Sequence, residues 1–153
     1  MKIVSLLPSS TEIVCKLGFR ENLVGVSHEC DYPISVKDLP ILTKPRFSPI
    51  ESSQKIDNSV QDLLKKGLSV YEVNTDLLKN LAPDLIITQA QCEACAVSLN
   101  DVKKAVSDWV GNKPDIVSLE PNYLDEVWSD FERVGEKLNS CLLYTSDAAD
   151  DTD

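Results

Sequence analysis

An α/β fold, with a parallel-dominated Rossmann-like sheet flanked by helices, is what this sequence of 153 residues predicts. Three observations carry that expectation. Short apolar runs of strand length recur at Lys2–Leu7, Leu23–Ser27, Leu85–Thr88 and Asp115–Leu119. Segments of helical period stand between them, with Gly, Pro, Asn and Asp at the junctions. The first three elements read strand, helix, strand, a βαβ unit whose two strands run parallel.

Taken in order, Lys2–Leu7 is the first strand and Pro8-Ser9-Ser10 a turn. Ser10 or Thr11 is expected to cap a helix Glu12–Leu17 that Gly18 ends. Leu23–Ser27 is the second strand, and Leu39–Thr43 a short further apolar segment of strand character. Residues 44–58 are rich in Pro, Ser and charge and read as loop. Val60–Lys66 is a short helix closed by Gly67, and Leu68–Val73 alternates as a strand does. Asn74 or Thr75 caps Asp76–Leu81, and Ala82-Pro83-Asp84 turns the chain into the strand Leu85–Thr88. Leu99–Val110 follows as an amphipathic helix capped by Ser98 or Asn100. Asp115–Leu119 is the next strand. From Pro121-Asn122 starts a long acidic helix, Tyr123–Leu138. Its apolar positions Leu124, Val127, Trp128, Phe131, Val134 and Leu138 keep the helical period, so Trp128, like Trp109, is expected in the core.

Composition excludes several classes. With 15 Lys and Arg against 25 Asp and Glu, the net charge is −10. Phosphate backbones require the opposite balance, so no nucleic acid is expected as a partner. No apolar run approaches the roughly 20 residues of a spanning helix. No signal peptide is read at the N-terminus, since Pro8 interrupts the apolar run, so the chain as written is expected to stay in the cytoplasm. Five cysteines in such a chain read as buried thiols, metal ligands or redox groups rather than as a disulfide framework. Cys15 falls in a helical apolar pattern and reads as core. The end, Cys141 to Asp153, fits no element and resembles translated sequencing-adapter read-through. Residues 140–153 are therefore expected to be a disordered, artefactual tail.

Two polar clusters follow buried strands. Ser27-His28-Glu29-Cys30-Asp31-Tyr32-Pro33 comes after the second strand and contains the only histidine. Gln89-Ala90-Gln91-Cys92-Glu93-Ala94-Cys95 comes after Leu85–Thr88. In a parallel sheet both clusters open on the C-terminal edge, where ligands bind. His28, Cys30, Cys92 and Cys95 have the donor types of a tetrahedral zinc site, and zinc or cobalt is the metal such a set would take. The plainer alternative is that the thiols line a loop and His28 caps a carbonyl. A redox C-x-x-C lacks the surrounding context of a thioredoxin-like motif. Tyr32 offers a flat wall for a macrocycle or, alternatively, packs as a turn residue. Glu29, Asp31 and Glu93 have no nucleophile–base pair beside them, so no catalytic residue is expected and the protein does not read as an enzyme.

The stretches Ile3–Glu12, Leu23–Ser27, Asp31-Tyr32-Pro33 and Leu81–Ile87, in this order, resemble the iron/vitamin B12 type of ABC-transporter substrate-binding protein, in particular its cobalamin-binding branch. The resemblance covers roughly residues 2 to 139. It implies two α/β lobes joined by one long helix, with residues 1–121 as the N-terminal ligand-binding lobe and 122–139 as the start of the connecting helix. It implies reversible binding of cobalamin or a related corrinoid or metal chelate, with no cofactor required. On the matched positions, ligand contacts fall at Ser9, Tyr32, Lys44, Gln89, Gln91 and Cys92, and His28, beside the Asp-Tyr-Pro turn, is expected to join them. Docking to an ABC permease falls at Asp76, which is shorter than the usual Glu. Proteins of this family are usually periplasmic or membrane-anchored, and a monomer is expected. A cytoplasmic metal- or corrinoid-binding protein of the same fold, uncoupled from transport, is the alternative reading.

Overall fold

The computed structural model describes residues 1–46, 53–65, 71–89, 99–109, 111–120 and 123–138. Its centre is a four-stranded sheet of β1 (Ile3–Ser5), β2 (Leu23–Val26), β5 (Leu85–Gln89) and β6 (Asp115–Leu119), in the order β2-β1-β5-β6, with every neighbouring pair parallel. A separate antiparallel hairpin pairs β3 (Thr43–Pro45) with β4 (Tyr71–Val73). The helices are α1 (Pro8–Lys16), α2 (Ser53–Lys65), α3 (Thr75–Leu81), α4 (Leu99–Ser107) and α5 (Leu124–Lys137). The predicted α/β class, with its parallel sheet, is the observed one.

Alternation along the strands builds two cores. Ile3, Leu85, Ile87, Val117 and Leu119 face one side and pack with Ile13 and Val14 of α1 and Val134 of α5. Val4 and Ile86 face the other, against Leu78 of α3 and Val102 and Val106 of α4. Successive strand residues point to opposite faces, and a sheet buried on both faces needs apolar residues on both. Burying each large aliphatic side chain contributes about 1.5–3 kcal/mol.

Several local expectations are corrected. Pro8-Ser9-Ser10 is the first turn of α1 and not a preceding turn. The N-cap is Leu7, without a side-chain cap, and Pro stands at the helix start. Proline lacks the N–H that a first turn leaves unbonded, so it begins a helix at no hydrogen-bond cost. Ser10 and Thr11 thus cap nothing; both are buried, with their hydroxyls within hydrogen-bond reach of the Leu7 carbonyl. The loop read over residues 44–58 contains part of β3 and the start of α2 at Ser53. Strand character in Leu39–Thr43 is displaced toward Thr43–Pro45. Ile41 makes only a parallel bridge to Val26, held by Val26 N–H to Pro40 O at 3.0 Å and Leu42 N–H to Val26 O at 2.9 Å. Asn74, not Thr75, caps α3, its side chain accepting the Leu77 N–H at 3.0 Å. Asn100 lies inside α4 rather than capping it.

Helix α5 is continuous, and its C-terminal half meets the core through Phe131, Val134 and Leu138. Its other half does not. Leu124 is 74% and Trp128 63% exposed, so Trp128 is not the core residue its period suggested. Periodicity marks which residues share a helix face, and leaves open how far along that face the lobe reaches. Trp109 does pack, half-buried, on the α4 side. Pro121, Asn122 and residues 140–153, on which the helix start and the tail were expected, lie outside the described residues.

Candidate functional site at the C-terminal edge of the sheet

Strand β1 sends the chain to β2 on one side, while β5 and β6 lie on its other side. The order therefore reverses between β1 and β5, and such a switch point opens a crevice at the C-terminal strand ends. Ser9 follows β1, His28 and Tyr32 follow β2, and Gln89 ends β5. All four belong to that edge. Ser9 and Tyr32 are exposed, and His28 and Gln89 are half-buried. Tyr32 is 63% exposed, and the Tyr32–Pro33 peptide is cis.

His28 is held by the hairpin. Its backbone N–H donates to Thr43 Oγ1 at 3.0 Å, and its Nδ1 lies 2.7 Å from the same oxygen. His28 thus meets a hydroxyl, not the carbonyl it was expected to cap. Its Nε2 stands 3.9 Å from Glu29 Oε1, and its ring lies 5.0 Å from that of Tyr71. Tyr71 donates to Glu29 Oε1 at 2.9 Å. Burial foremost, and then this bond and the carboxylate's charge, push the Tyr71 phenol up to about 12. Sequence reasoning missed Tyr71. It stands in a short strand of another sheet, and only the hairpin's docking on the β2 edge brings it to His28.

Cys30 turns the other way. It is buried in the α1-side core, with Thr11 Oγ1 at 3.1 Å and Ser27 Oγ at 3.3 Å from its sulfur. Among the described residues no group of three or more His, Cys, Asp or Glu side chains could hold a metal ion. Gln91, Cys92 and Cys95, the remaining members of the expected ligand and metal sets, lie outside the described residues. The two clusters also follow strands that are not neighbours, since β1 separates β2 from β5. Two strand spacings of about 4.8 Å part them. Cys15 is half-buried against the core, and burial pushes its thiol up.

Lys44 and Asp76 line a groove of about 370 Å3 between the hairpin and the start of α3. Lys44 Nζ is 3.9 Å from Glu72 Oε2, and both side chains are exposed. A second groove, about 510 Å3, has Asp84, Trp109 and Asp115 in its wall and sits where β5 and β6 begin. It is therefore on the edge opposite His28. Among the described residues no helix is long and apolar enough to cross a membrane.

Solved structures that share this fold include periplasmic binding proteins. One is a possible iron-binding (periplasmic solute-binding) protein from Staphylococcus epidermidis ATCC 12228. It is 25% identical, with a TM-score of 0.57, over 88% of this chain and 41% of its own. Another is the periplasmic vitamin B12 binding protein BtuF of Vibrio cholerae, at 23% identity and TM-score 0.54, over 82% of this chain and 36% of its own. A periplasmic heme binding protein from Pseudomonas aeruginosa matches at 20% identity and TM-score 0.60, over 90% of this chain and 38% of its own. The chain thus spans about two fifths of the length of these proteins. No family model matches it. No curated protein matches it either.

Proposed function

We propose that the chain is the N-terminal lobe of the substrate-binding component of an ABC transporter, and that it binds cobalamin or a related corrinoid or metal chelate. The observation that carries this reading is the switch point between β1 and β5, with Ser9, His28, Tyr32 and Gln89 at its rim. A flat macrocycle is recognised by apolar area with a few polar contacts at its margin. The exposed Tyr32 ring supplies area, and Ser9, His28 and Gln89 supply hydrogen bonds. Gln91 and Cys92 follow β5 in the sequence and would add to the same rim. Lys44 would meet acidic groups at the ligand's periphery. Asp76, exposed in the first turn of α3, would meet a cationic side chain of the permease. The solved proteins of this fold named above are a possible iron-binding, a vitamin B12 binding and a heme binding protein, which supports a metal chelate as the ligand class and leaves its members to be separated by titration.

Quenching of tryptophan fluorescence by cyanocobalamin and, separately, by hemin tests this. Saturable binding of cyanocobalamin, weakened about tenfold by Tyr32→Ala through the lost ring contact, is the expected result. Binding of hemin alone would move the assignment to heme. Binding of neither would remove the reading.

A further inference from the structure

Five buried side chains at the base of the rim form one hydrogen-bonded series, and one direction of donation gives every proton in it an acceptor. Ser27 Oγ accepts the Glu29 N–H at 3.3 Å, which leaves its own proton for the Cys30 sulfur at 3.3 Å. Thr11 has one proton and two oxygen acceptors in reach, Ser5 Oγ at 2.8 Å and Leu7 O at 3.2 Å; given to either, it leaves Thr11 Oγ1 to accept from Cys30, at 3.1 Å. Ser5 is bonded to Ser10, and Ser10 donates to Leu7 O at 3.0 Å. No buried side-chain nitrogen or oxygen among the described residues lacks a partner. The series runs from the turn after β2, through Cys30, to the first turn of α1. It therefore joins the loop bearing His28 to the helix bearing Ser9.

We propose that Cys30 is a positioning residue for the rim: its S–H donates to Thr11 while its sulfur accepts from Ser27, and this fixes the His28 turn against the start of α1. In this role the sulfur stays protonated and does not ligate a metal. A hydroxyl can replace the thiol in the series, because it too donates once and accepts. A methyl group cannot, and leaves Thr11 and Ser27 short of a partner in the core. The part of the proposal that concerns ligand affinity rests on the binding function proposed above; the bonding of the thiol and the fixing of His28 do not.

The infrared S–H stretch reads the bond directly, and the band absent from Cys30→Ser assigns it among the five cysteines. Thr11→Val keeps the shape of the side chain and removes the acceptor, so the Cys30 band is expected to move to higher wavenumber. The rim is read from the imidazole resonance of His28, a single signal because the chain has one histidine. That resonance should keep its position in Cys30→Ser and shift or broaden in Cys30→Ala and Thr11→Val. Where cyanocobalamin or hemin binds the unaltered protein, Cys30→Ala should weaken it about tenfold and Cys30→Ser should not.

An S–H band unmoved by Thr11→Val would overturn the bond, as would loss of that band when zinc is added. A His28 resonance identical in all variants would overturn the positioning role. Failure of both ligands to bind would remove the binding function and leave the infrared and His28 results to decide on the thiol. Should Cys30→Ala not fold, Ser27→Ala, judged on the same resonance, takes its place.

Discussion

Tyr71 donates its phenolic proton to Glu29 across 2.9 Å, tying the hairpin to the loop that leaves the sheet at β2. Tyr71 stands in the hairpin and Glu29 in the loop after β2, 42 residues apart, so the bond fixes how the hairpin sits over the rim. Its strength should be visible in titration. The phenol is raised to about 12 from an ordinary value of 10, so the folded state holds this proton more firmly than the unfolded chain. The associated stability is complete below pH 10 and is lost as pH rises through 12. Ultraviolet titration of tyrosinate in the folded protein should show one late component. Tyr71→Phe should delete it, and Glu29→Gln should move it earlier. A late component that survives Tyr71→Phe would refute the assignment.

Asp130 is a buried carboxyl on α5, and burial raises it above its usual range while Arg133, at 3.6 Å, pulls it down. Glu126 and Glu120 add to the rise. With a raised folded value, its contribution is fullest below the ordinary carboxylate range and is lost as pH climbs through the folded value. Asp130→Asn removes the ionisation, so it should raise the Tm at pH 7 by about 2 °C and change little at pH 3. Paired melts at the two pH values test the sign. A lower Tm at pH 7 would show that the Arg133 pair outweighs burial.

Gly25 in β2 faces two leucines. A Cβ built there would stand 2.7 Å from Leu42 Cδ1 and 3.1 Å from Leu81 Cδ1. Gly25→Ala should therefore cost about 1–3 kcal/mol as overpacking. Leu42→Val in the same chain should recover part of that, because the contact closest to the new methyl is then gone. Urea melts of the two single variants and the double variant measure the coupling, and strict additivity would count against the contact.

The Asn74 side chain accepts the Leu77 N–H at 3.0 Å and so caps α3. Asn74→Ala should cost about 1 kcal/mol, and Asn74→Asp a fraction of that, since a carboxylate accepts the same bond. Amide exchange at Leu77 and Leu78 should accelerate in the alanine variant alone. Equal protection in both variants would remove the cap from the account.

The parallel sheet and the edge on which its strands end were legible in the sequence because burial on both faces leaves near-continuous apolar runs. Asp115–Leu119 has those bounds in the structure. The start of α1 was not legible from the hydroxyls. Ser10 and Thr11 look like caps by type, but the proline before them fixes the start, and the rest of the core claims their side chains. The strand character of Leu68–Val73 was legible, and β4 lies within it, but its pairing with β3 was not, because β3 is three residues long and contains a proline. With the pairing went Tyr71, the nearest aromatic neighbour of His28. Trp128 was misplaced because the helical period says nothing of where the lobe stops covering α5.

The hydroxyl and thiol series beneath the rim also bears on how this core tolerates change. Removing one member of a bonded series strands its neighbours in an apolar surround, whereas removing both ends of a bond strands none. Thr11→Val alone should therefore be worse than its loss of one bond suggests. Thr11→Val with Cys30→Val and Ser5→Ala should be milder than the three single effects combined. A survey that alters one position at a time would rank these sites as intolerant, while the set taken together can be exchanged for hydrocarbon of similar volume.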